Sequence, residues 1–361
     1  MPTRQLPPEP SLRQLKAQAK DLLVAHGARS LQARQRIREF HPRFRHASDD
    51  EIAGASFSLS DAQFTIAREY GFLSWPRLKA HVEKPDREDV RVAPHLRIKD
   101  AAFKRAVELM DTGDVAGLRA HVAAHPAVLH QRLMLEGNNY FREPTLLEFI
   151  AENPSRQGSV PKSAPEIARI ILEAGAREDR RAIDSTLELV ASSAAARTSG
   201  VQGALIDVLC DVGADPGESL VVAALYGEFD AVEKLIERGA PVDLRVAAAT
   251  GRAAEAEALI AESSAEVRAT ALALAAQFGH LDIVRMLLDA AVDPNSYTPP
   301  GGHSHATPLH QAALAGHLDI VKLLVERGAR SDLPDILYGG TPLGWARHAG
   351  QNVVAEFLQG V

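Results

Sequence analysis

Apolar residues in the C-terminal two thirds of the chain recur at the spacing of short amphipathic helices. Leu318, Val321 and Leu324 place apolar side chains on a single helical face. The stretch before them carries small residues such as Ala312 and Ala313, which let neighbouring helices approach closely. A glycine separates the two stretches, as expected where a chain turns sharply. The pattern predicts pairs of short antiparallel helices.

The same pattern repeats along the chain. Residues 307–313 have the sequence Thr-Pro-Leu-His-Gln-Ala-Ala and are followed at 316–321 by Gly-His-Leu-Asp-Ile-Val. Related copies begin 37 residues earlier, at Thr270, and 34 residues later, at Thr341. Weaker copies extend back to residue 103, so we expect about eight units. Self-similarity at such a period predicts a repeat architecture.

These motifs resemble the ankyrin repeat, whose Thr-Pro-Leu-His and Gly-His-x-x-x-Val-x-x-Leu-Leu signature is met almost fully at 307–324. The resemblance covers roughly residues 100–361 and becomes looser towards the N-terminus. It implies an all-α fold, in which helix pairs stack into a curved right-handed solenoid. First helices would line the concave face, and short β-hairpin fingers would project from one edge.

Residues 1–84 are predicted to form a separate small helical domain. Serine caps predict helices at 11–27, 30–40, 60–71 and 74–82, with a capping box that begins at Ser60. Residues 58–79 look like a segment often found ahead of ankyrin repeats in bacterial proteins. We expect residues 85–98 to be a linker and residues 99–361 to be the solenoid of about eight helix pairs. The N-terminal domain would cover the apolar end of the first repeat.

Composition and charge narrow the function classes. Residues 1–97 carry a net charge of +5 and the remainder −12, so the basic excess is too small for a phosphate-tracking surface and nucleic acid is not the expected partner. No apolar run approaches the roughly 20 residues that span a bilayer. We therefore expect a cytoplasmic monomer without membrane contact. The single cysteine excludes cysteine-based zinc sites, and we expect no metal and no cofactor.

Three segments are longer than the repeat requires, at residues 153–163, 192–203 and 294–306. Long irregular insertions in a compact fold are usually functional. The first two lie in adjacent repeats, between paired helices, and are expected to form one wall. The third is a finger that contains His303 and His305.

The finger histidines are candidates for chemistry. His303 and His305 alternate on one side of an extended finger, and His310 follows at the next helix. Two histidines at this spacing could bind a metal, and one could act as a base. The alternatives are exposed polar side chains, contacts with a partner or, for His310, a structural hydrogen bond within the repeat.

Two glutamates suggest a second hypothesis. Glu148 and Glu188 are assigned to the slot of His310 in two adjacent earlier repeats. Paired carboxylates could perform acid–base work, and the catalytic candidates would be Glu148, Glu188, His303, His305 and Asp335. A solvated polar rim is the alternative interpretation.

The last repeats add a candidate recognition patch. Asp335 and Tyr338 belong to the final finger, and Trp345 and His348 belong to the helix that follows it. Together with His303, His305 and His310 they form the predicted binding set. Trp345 has a second interpretation, as a packing residue of the terminal repeat.

The function these observations favour is a non-catalytic binding protein. The resemblance implies that a protein partner is recognised by the concave groove and the fingers, because stacked repeats offer a preorganised surface. The alternative is a small-molecule-binding protein or an enzyme, with an acid–base site of Glu and His residues that the insertions build in the groove.

Overall fold

The structure is a computed structural model that describes residues 4, 6–7, 9–45, 47–83, 92, 94–135, 140–299 and 304–361. All regular structure in these residues is helical, and they contain no β-strand, so the expected β-hairpin fingers are not observed in them. The α-helices, in chain order, are α1 Leu12–Gly27, α2 Leu31–Phe40, α3 Asp49–Gly54, α4 Leu59–Glu69, α5 Trp75–Glu83, α6 Ala101–Thr112, α7 Val115–Ala124, α8 Ala164–Glu173, α9 Arg180–Ala191, α10 Ala194–Thr198, α11 Gln202–Asp211, α12 Pro216–Leu225, α13 Phe229–Glu237, α14 Leu244–Thr250, α15 Ala253–Ile260, α16 Ala265–Phe278, α17 Leu281–Asp289, α18 Pro308–Ala315, α19 Leu318–Glu326, α20 Pro342–His348 and α21 Asn352–Gln359.

The chain divides into two compact units. The first consists of residues 1–87 together with residues 243–361, and the second consists of residues 88–242. The N-terminal domain, called the head below (residues 1–87), therefore shares a unit with the last repeats.

The head is a bundle in which α4 packs on α1, α2 and α5. Helix α4 begins after Ser58, whose hydroxyl accepts a hydrogen bond from the Asp61 amide while the Asp61 carboxylate accepts one from the Ser58 amide. The capping box therefore uses Ser58 and Asp61, and the prediction that it begins at Ser60 is wrong. The short helix α3 was not predicted. Its own capping box joins Ser48 and Glu51.

The last repeats form two helical layers within the first unit. Helices α14, α16, α18 and α20 lie side by side in one layer, and α15, α17, α19 and α21 lie in the other. Histidines at the turns join successive repeats: His280 Nε2 bonds to the carbonyl of Ala249 at 3.0 Å, and His317 Nε2 bonds to that of Gln277 at 3.1 Å.

The pair α18 and α19 shows why the sequence folds this way. Thr307 caps α18, and proline at the first helical position has no amide hydrogen to leave unpaired. Ala312 and Ala313 are fully buried, which keeps the neighbouring backbones close. Gly316 ends the helix with a φ of +84°, a left-handed conformation that glycine adopts without a steric penalty.

The second unit repeats the two-layer arrangement with one irregular member. The 3-10 turn Leu147–Ala151 takes the place of a first helix and packs beside α9, which packs beside α12. Helices α8, α11 and α13 form the other layer. No helix in the described part of the chain combines the length and the apolar character needed to cross a bilayer.

Candidate functional site

The final turn of the first unit is organised by the carboxylate of Asp335. This side chain is 2% exposed, and its Oδ1 accepts hydrogen bonds from the amides of Leu337 (2.9 Å) and Tyr338 (2.6 Å). Its Oδ2 accepts from the Gly340 amide (2.8 Å) and from the Trp345 indole Nε1 (3.1 Å). Four donors on one buried carboxylate fix the turn 335–340 against α20. We call this arrangement the Asp335 turn.

The Asp335 turn holds an aromatic side chain out to solvent. Tyr338 is 75% exposed. Behind it, the Trp345 ring packs 5.6 Å from the His305 ring and 5.1 Å from the His310 ring, measured between centroids. Tyr338 itself meets the His305 ring edge-on at 6.2 Å. His348 is exposed at the end of α20. The structure thus brings five members of the predicted binding set, His305, His310, Asp335, Tyr338 and Trp345, into one cluster, and it places His348 about one turn after Trp345 in α20.

His310 is fully buried and has a structural role. The Thr307 amide donates to its Nδ1 at 3.2 Å, so Nδ1 is the acceptor and the proton sits on Nε2. Nε2 then donates to the Gly340 carbonyl at 3.1 Å. Burial lowers the pKa of His310, which keeps the ring neutral. Of the two interpretations of His310, the hydrogen-bonded one describes these contacts.

His305 is buried as well, at 7% exposure, and its backbone carbonyl accepts a hydrogen bond from the Ile336 amide at 2.8 Å. The finger therefore packs on the Asp335 turn. His303 lies outside the described residues. Within the described residues, no group of three or more His, Cys, Asp or Glu side chains is placed to hold a metal ion.

Glu148 repeats the role of His310 in the second unit. Its Oε2 accepts from the amide (2.7 Å) and the hydroxyl (3.0 Å) of Thr145, and its Oε1 accepts from the Ser185 hydroxyl (2.7 Å). The side chain is 7% exposed. Both carboxylate oxygens are engaged in hydrogen bonds that hold two neighbouring repeats together.

Glu188 does not occupy that slot, and its assignment there is wrong. Helix α9 begins after Asp179, whose side chain accepts from the Ala182 amide at 3.0 Å. Glu188 therefore lies near the end of the helix, in an exposed position, rather than in its first turn. The N-cap was sought at Ser185, but Asp179, which directly follows the 3-10 turn Ala176–Glu178, is an equally good cap.

The first two insertions pack against each other, as one wall would require. The side-chain Nδ2 of Asn153 donates to the Ser192 hydroxyl at 3.0 Å. The Val160 amide donates to the Ser199 hydroxyl at 2.9 Å, and Lys162 Nζ donates to the Ser199 carbonyl at 2.6 Å. The second insertion includes the short helix α10.

Beside this wall lies a shallow depression of about 250 Å³, open space at its mouth included, with a mixed lining. Phe149, Met110 and Val160 supply apolar surface, and Arg156 and Glu152 supply charge. Arg156 is 5% exposed and pairs with both Asp111 and Glu152. The depression is small for a drug-sized ligand, and neither Glu148 nor Glu188 lines it.

Sequence reasoning missed the residues through which the head meets the finger. The side-chain Nε2 of Gln35, in α2, donates to the backbone carbonyl of Thr298 at 3.0 Å, although 263 positions separate the two residues. Glu39, one turn later in α2, lies against Ser304. The sequence shows only that positions 35 and 39 of α2 are polar, and this does not identify the segment that they contact.

Cys210 lies half-buried in α11. Burial raises the pKa of its thiol, which disfavours the thiolate that a nucleophile needs.

Comparison with protein families finds ankyrin repeats in this chain. The family model described as ankyrin repeats matches in three copies, over residues 192–298 and 292–360. The chain therefore contains ankyrin repeats in this region, and the weaker copies at residues 103–191 stay a prediction. No curated protein shows a significant match to the chain. Ankyrin repeats generally mediate protein–protein interaction.

Proposed function

We propose that this chain is a non-catalytic binding protein that recognises a protein partner through its ankyrin repeats. The helix pairs would form a right-handed solenoid whose groove and fingers contact the partner. The ankyrin repeats at 192–360 support this proposal, because recognition of proteins is the general role of such repeats.

The observation that carries the proposal is the display of Tyr338. A tyrosine that is 75% exposed sits on a turn that four hydrogen bonds to Asp335 hold in place. Aromatic side chains dominate the binding energy of protein interfaces. A contact residue that is already fixed loses little conformational entropy on binding.

The predicted binding set divides by exposure into two roles. Tyr338 and His348 would contact the partner directly, with Trp345 at the edge of the contact. Asp335, His305 and His310 are buried and would hold the contact residues in position. His303 belongs to the same finger and stays a candidate contact residue.

The setting of this function is also a proposal. The repeats and the head together suggest a bacterial cytoplasmic protein that acts as a monomer. Its partner would be a protein rather than a nucleic acid or a membrane, because the region that holds the repeats has a net negative charge.

The acid–base alternative receives no support from its candidate residues. Asp335 accepts four hydrogen bonds and Glu148 accepts three, all from groups of the protein itself, so both carboxylates are engaged in holding the fold. A small-molecule site built on them would first have to break those bonds.

A photo-crosslinking phenylalanine at position 338 tests the proposal in cells of the source organism. The control places the same residue at position 24, because Val24 is 72% exposed on the head and so matches Tyr338 in exposure. We expect a protein adduct specific to position 338, identified by mass spectrometry. Identical adducts from both positions, or none from 338, would contradict recognition through the Asp335 turn.

A further inference from the structure

Two histidine rings lie against each other at the C-terminal end of helix α7, in the second unit. His121 is in the last turn of the helix, and His125 is the residue at which the helix ends. Their ring centroids are 4.7 Å apart, with an angle of 46° between the ring planes. Residues four positions apart are neighbours on the surface of a helix, which explains why the two rings meet.

A hydrogen bond fixes which ring nitrogen of His121 carries the proton. Its Nε2 lies 2.8 Å from the backbone carbonyl oxygen of Ala102, in α6. A carbonyl oxygen only accepts, so Nε2 donates, and Nδ1 of the neutral ring keeps its lone pair. Histidines that bind metal ions almost always donate their other ring N–H to a carbonyl, a carboxylate or water. The bond to Ala102 therefore orients His121 as a metal ligand is oriented.

The ring of His125 is available for coordination. The residue is exposed, and its side chain makes no hydrogen bond or ion pair within the described part of the chain. Its backbone amide donates to the His121 carbonyl at 2.9 Å, which holds the two residues one helical turn apart. The pair also lies at the negative end of the α7 dipole, where a bound cation is stabilised.

The separation of the two rings fits a shared metal ion. A histidine nitrogen binds zinc at about 2.0–2.1 Å, which places the centre of the ring about 3.2 Å from the metal. Two rings that share one ion at an angle of about 90–110° then have centres about 4.5–5.2 Å apart. The separation of 4.7 Å in this pair falls within that range, so the rings are already as close as a shared ion requires.

We propose that His121 and His125 form a binding site for a divalent transition-metal ion of the class that imidazole suits, such as zinc, nickel or copper. Within the described ranges no third His, Cys, Asp or Glu side chain joins a group placed to hold a metal ion, so water molecules fill the remaining coordination positions. The site is therefore a reversible one, unlike structural zinc sites with four protein ligands. The ion ties the end of α7 to α6 through the bond from His121 to Ala102. No metal was expected from the sequence, in which the pair lies in one of the weaker copies of the repeat.

The choice of metal follows from the two imidazole ligands. Copper should bind more tightly than nickel, and nickel more tightly than cobalt. Magnesium prefers oxygen ligands and should not compete with nickel for this site. Acid should release the ion, because a protonated imidazole has no lone pair to donate. Competition by magnesium would indicate carboxylate ligands and would contradict the proposal.

Calorimetric titration of the full chain with nickel chloride tests the site. We expect His121→Gln and His125→Gln each to weaken nickel binding at this site at least about tenfold, because loss of an outer-shell partner alone already costs about 10- to 100-fold. His130→Gln is the matched control, since it removes an exposed histidine of the same unit that lies outside the pair, and it should bind nickel as the wild type does. Equal nickel affinity in the wild type and in both variants of the pair would overturn the proposal.

A second measurement locates the ion in the wild-type protein and needs no variant. Substoichiometric copper broadens the NMR signals of nuclei close to the bound ion, so the amides of residues 121–125 and of Ala102 should broaden before those around His130. Broadening that spares residues 121–125 would contradict the proposal, whether or not the variants fold. Both experiments omit the protein partner, so failure of the metal site would leave the role of Tyr338 to be decided by crosslinking.

Discussion

Replacing Asp335 with asparagine should destabilise the Asp335 turn, which holds Tyr338 in its exposed position. The amide oxygen of asparagine can still accept from the Leu337 and Tyr338 amides. Its NH₂ group, however, would then face the Gly340 amide and the Trp345 indole, which are both donors. The substitution keeps the size of the side chain and reverses the polarity of two hydrogen bonds.

The magnitude follows from those two bonds. A hydrogen bond to a charged group contributes about 1.5–3 kcal/mol, so losing two corresponds to about 3–6 kcal/mol. Gly340 is partly exposed, and water can replace some of the loss at its amide. We therefore expect the last repeat to be destabilised by about 3 kcal/mol.

Urea unfolding measures this effect locally. In a Trp75→Phe background, Trp345 is the one tryptophan left and reports on the last repeat. Repeat arrays need not unfold in a single step, so the midpoint of the Trp345 transition is the quantity to compare. Asp332→Asn is the matched control, because Asp332 is an exposed neighbour that pairs only with exposed Arg330 among the described contacts. Equal midpoints for the two variants would refute the reasoning.

Three further predictions concern the repeats. Acidification from pH 6.5 should lower the stability of the last repeats in the wild type more than in His310→Gln. The reason is that burial lowers the pKa of His310 in the folded protein, so acid favours the unfolded state, in which the ring takes up a proton more readily. Parallel pH profiles of the two proteins would contradict this. Ala291→Gly should raise the free energy of unfolding by about 0.5 kcal/mol, because Ala291 has a left-handed φ of +59° that glycine adopts without strain. Ala290→Gly should lower it, because Ala290 has an ordinary φ of −80°. A change of the same sign in both variants would contradict this. Glu148→Ala should lower the free energy of unfolding by about 2–3 kcal/mol, measured with urea, and by clearly more than exposed Glu188→Ala; equal losses would contradict this.

The helix pairs could be predicted because their determinants are local. Thr307 and His310 lie three positions apart, so the cap that starts α18 is visible in four consecutive residues. The same spacing of three positions, between Thr145 and Glu148, correctly predicted the place of Glu148. It failed for Glu188 because two residues competed for the cap of α9, and the sequence pattern does not rank Asp179 above Ser185.

The contact between the head and the finger could not be predicted in this way. Gln35 and Thr298 are far apart in sequence, and a hydrogen bond between them has no periodic signature. Likewise, the finger histidines were sought as ligands, whereas the structure packs His305 against Trp345.

Recognition through Tyr338 is the central claim, and the dissociation constant of the partner captured at position 338 tests it most directly. Calorimetry would compare the wild type, Tyr338→Ala and Val24→Ala at one pH. We expect Tyr338→Ala to weaken binding about 30-fold, which corresponds to about 2 kcal/mol for an aromatic hot spot, while Val24→Ala stays within about twofold of the wild type. An unchanged dissociation constant for Tyr338→Ala would contradict the account.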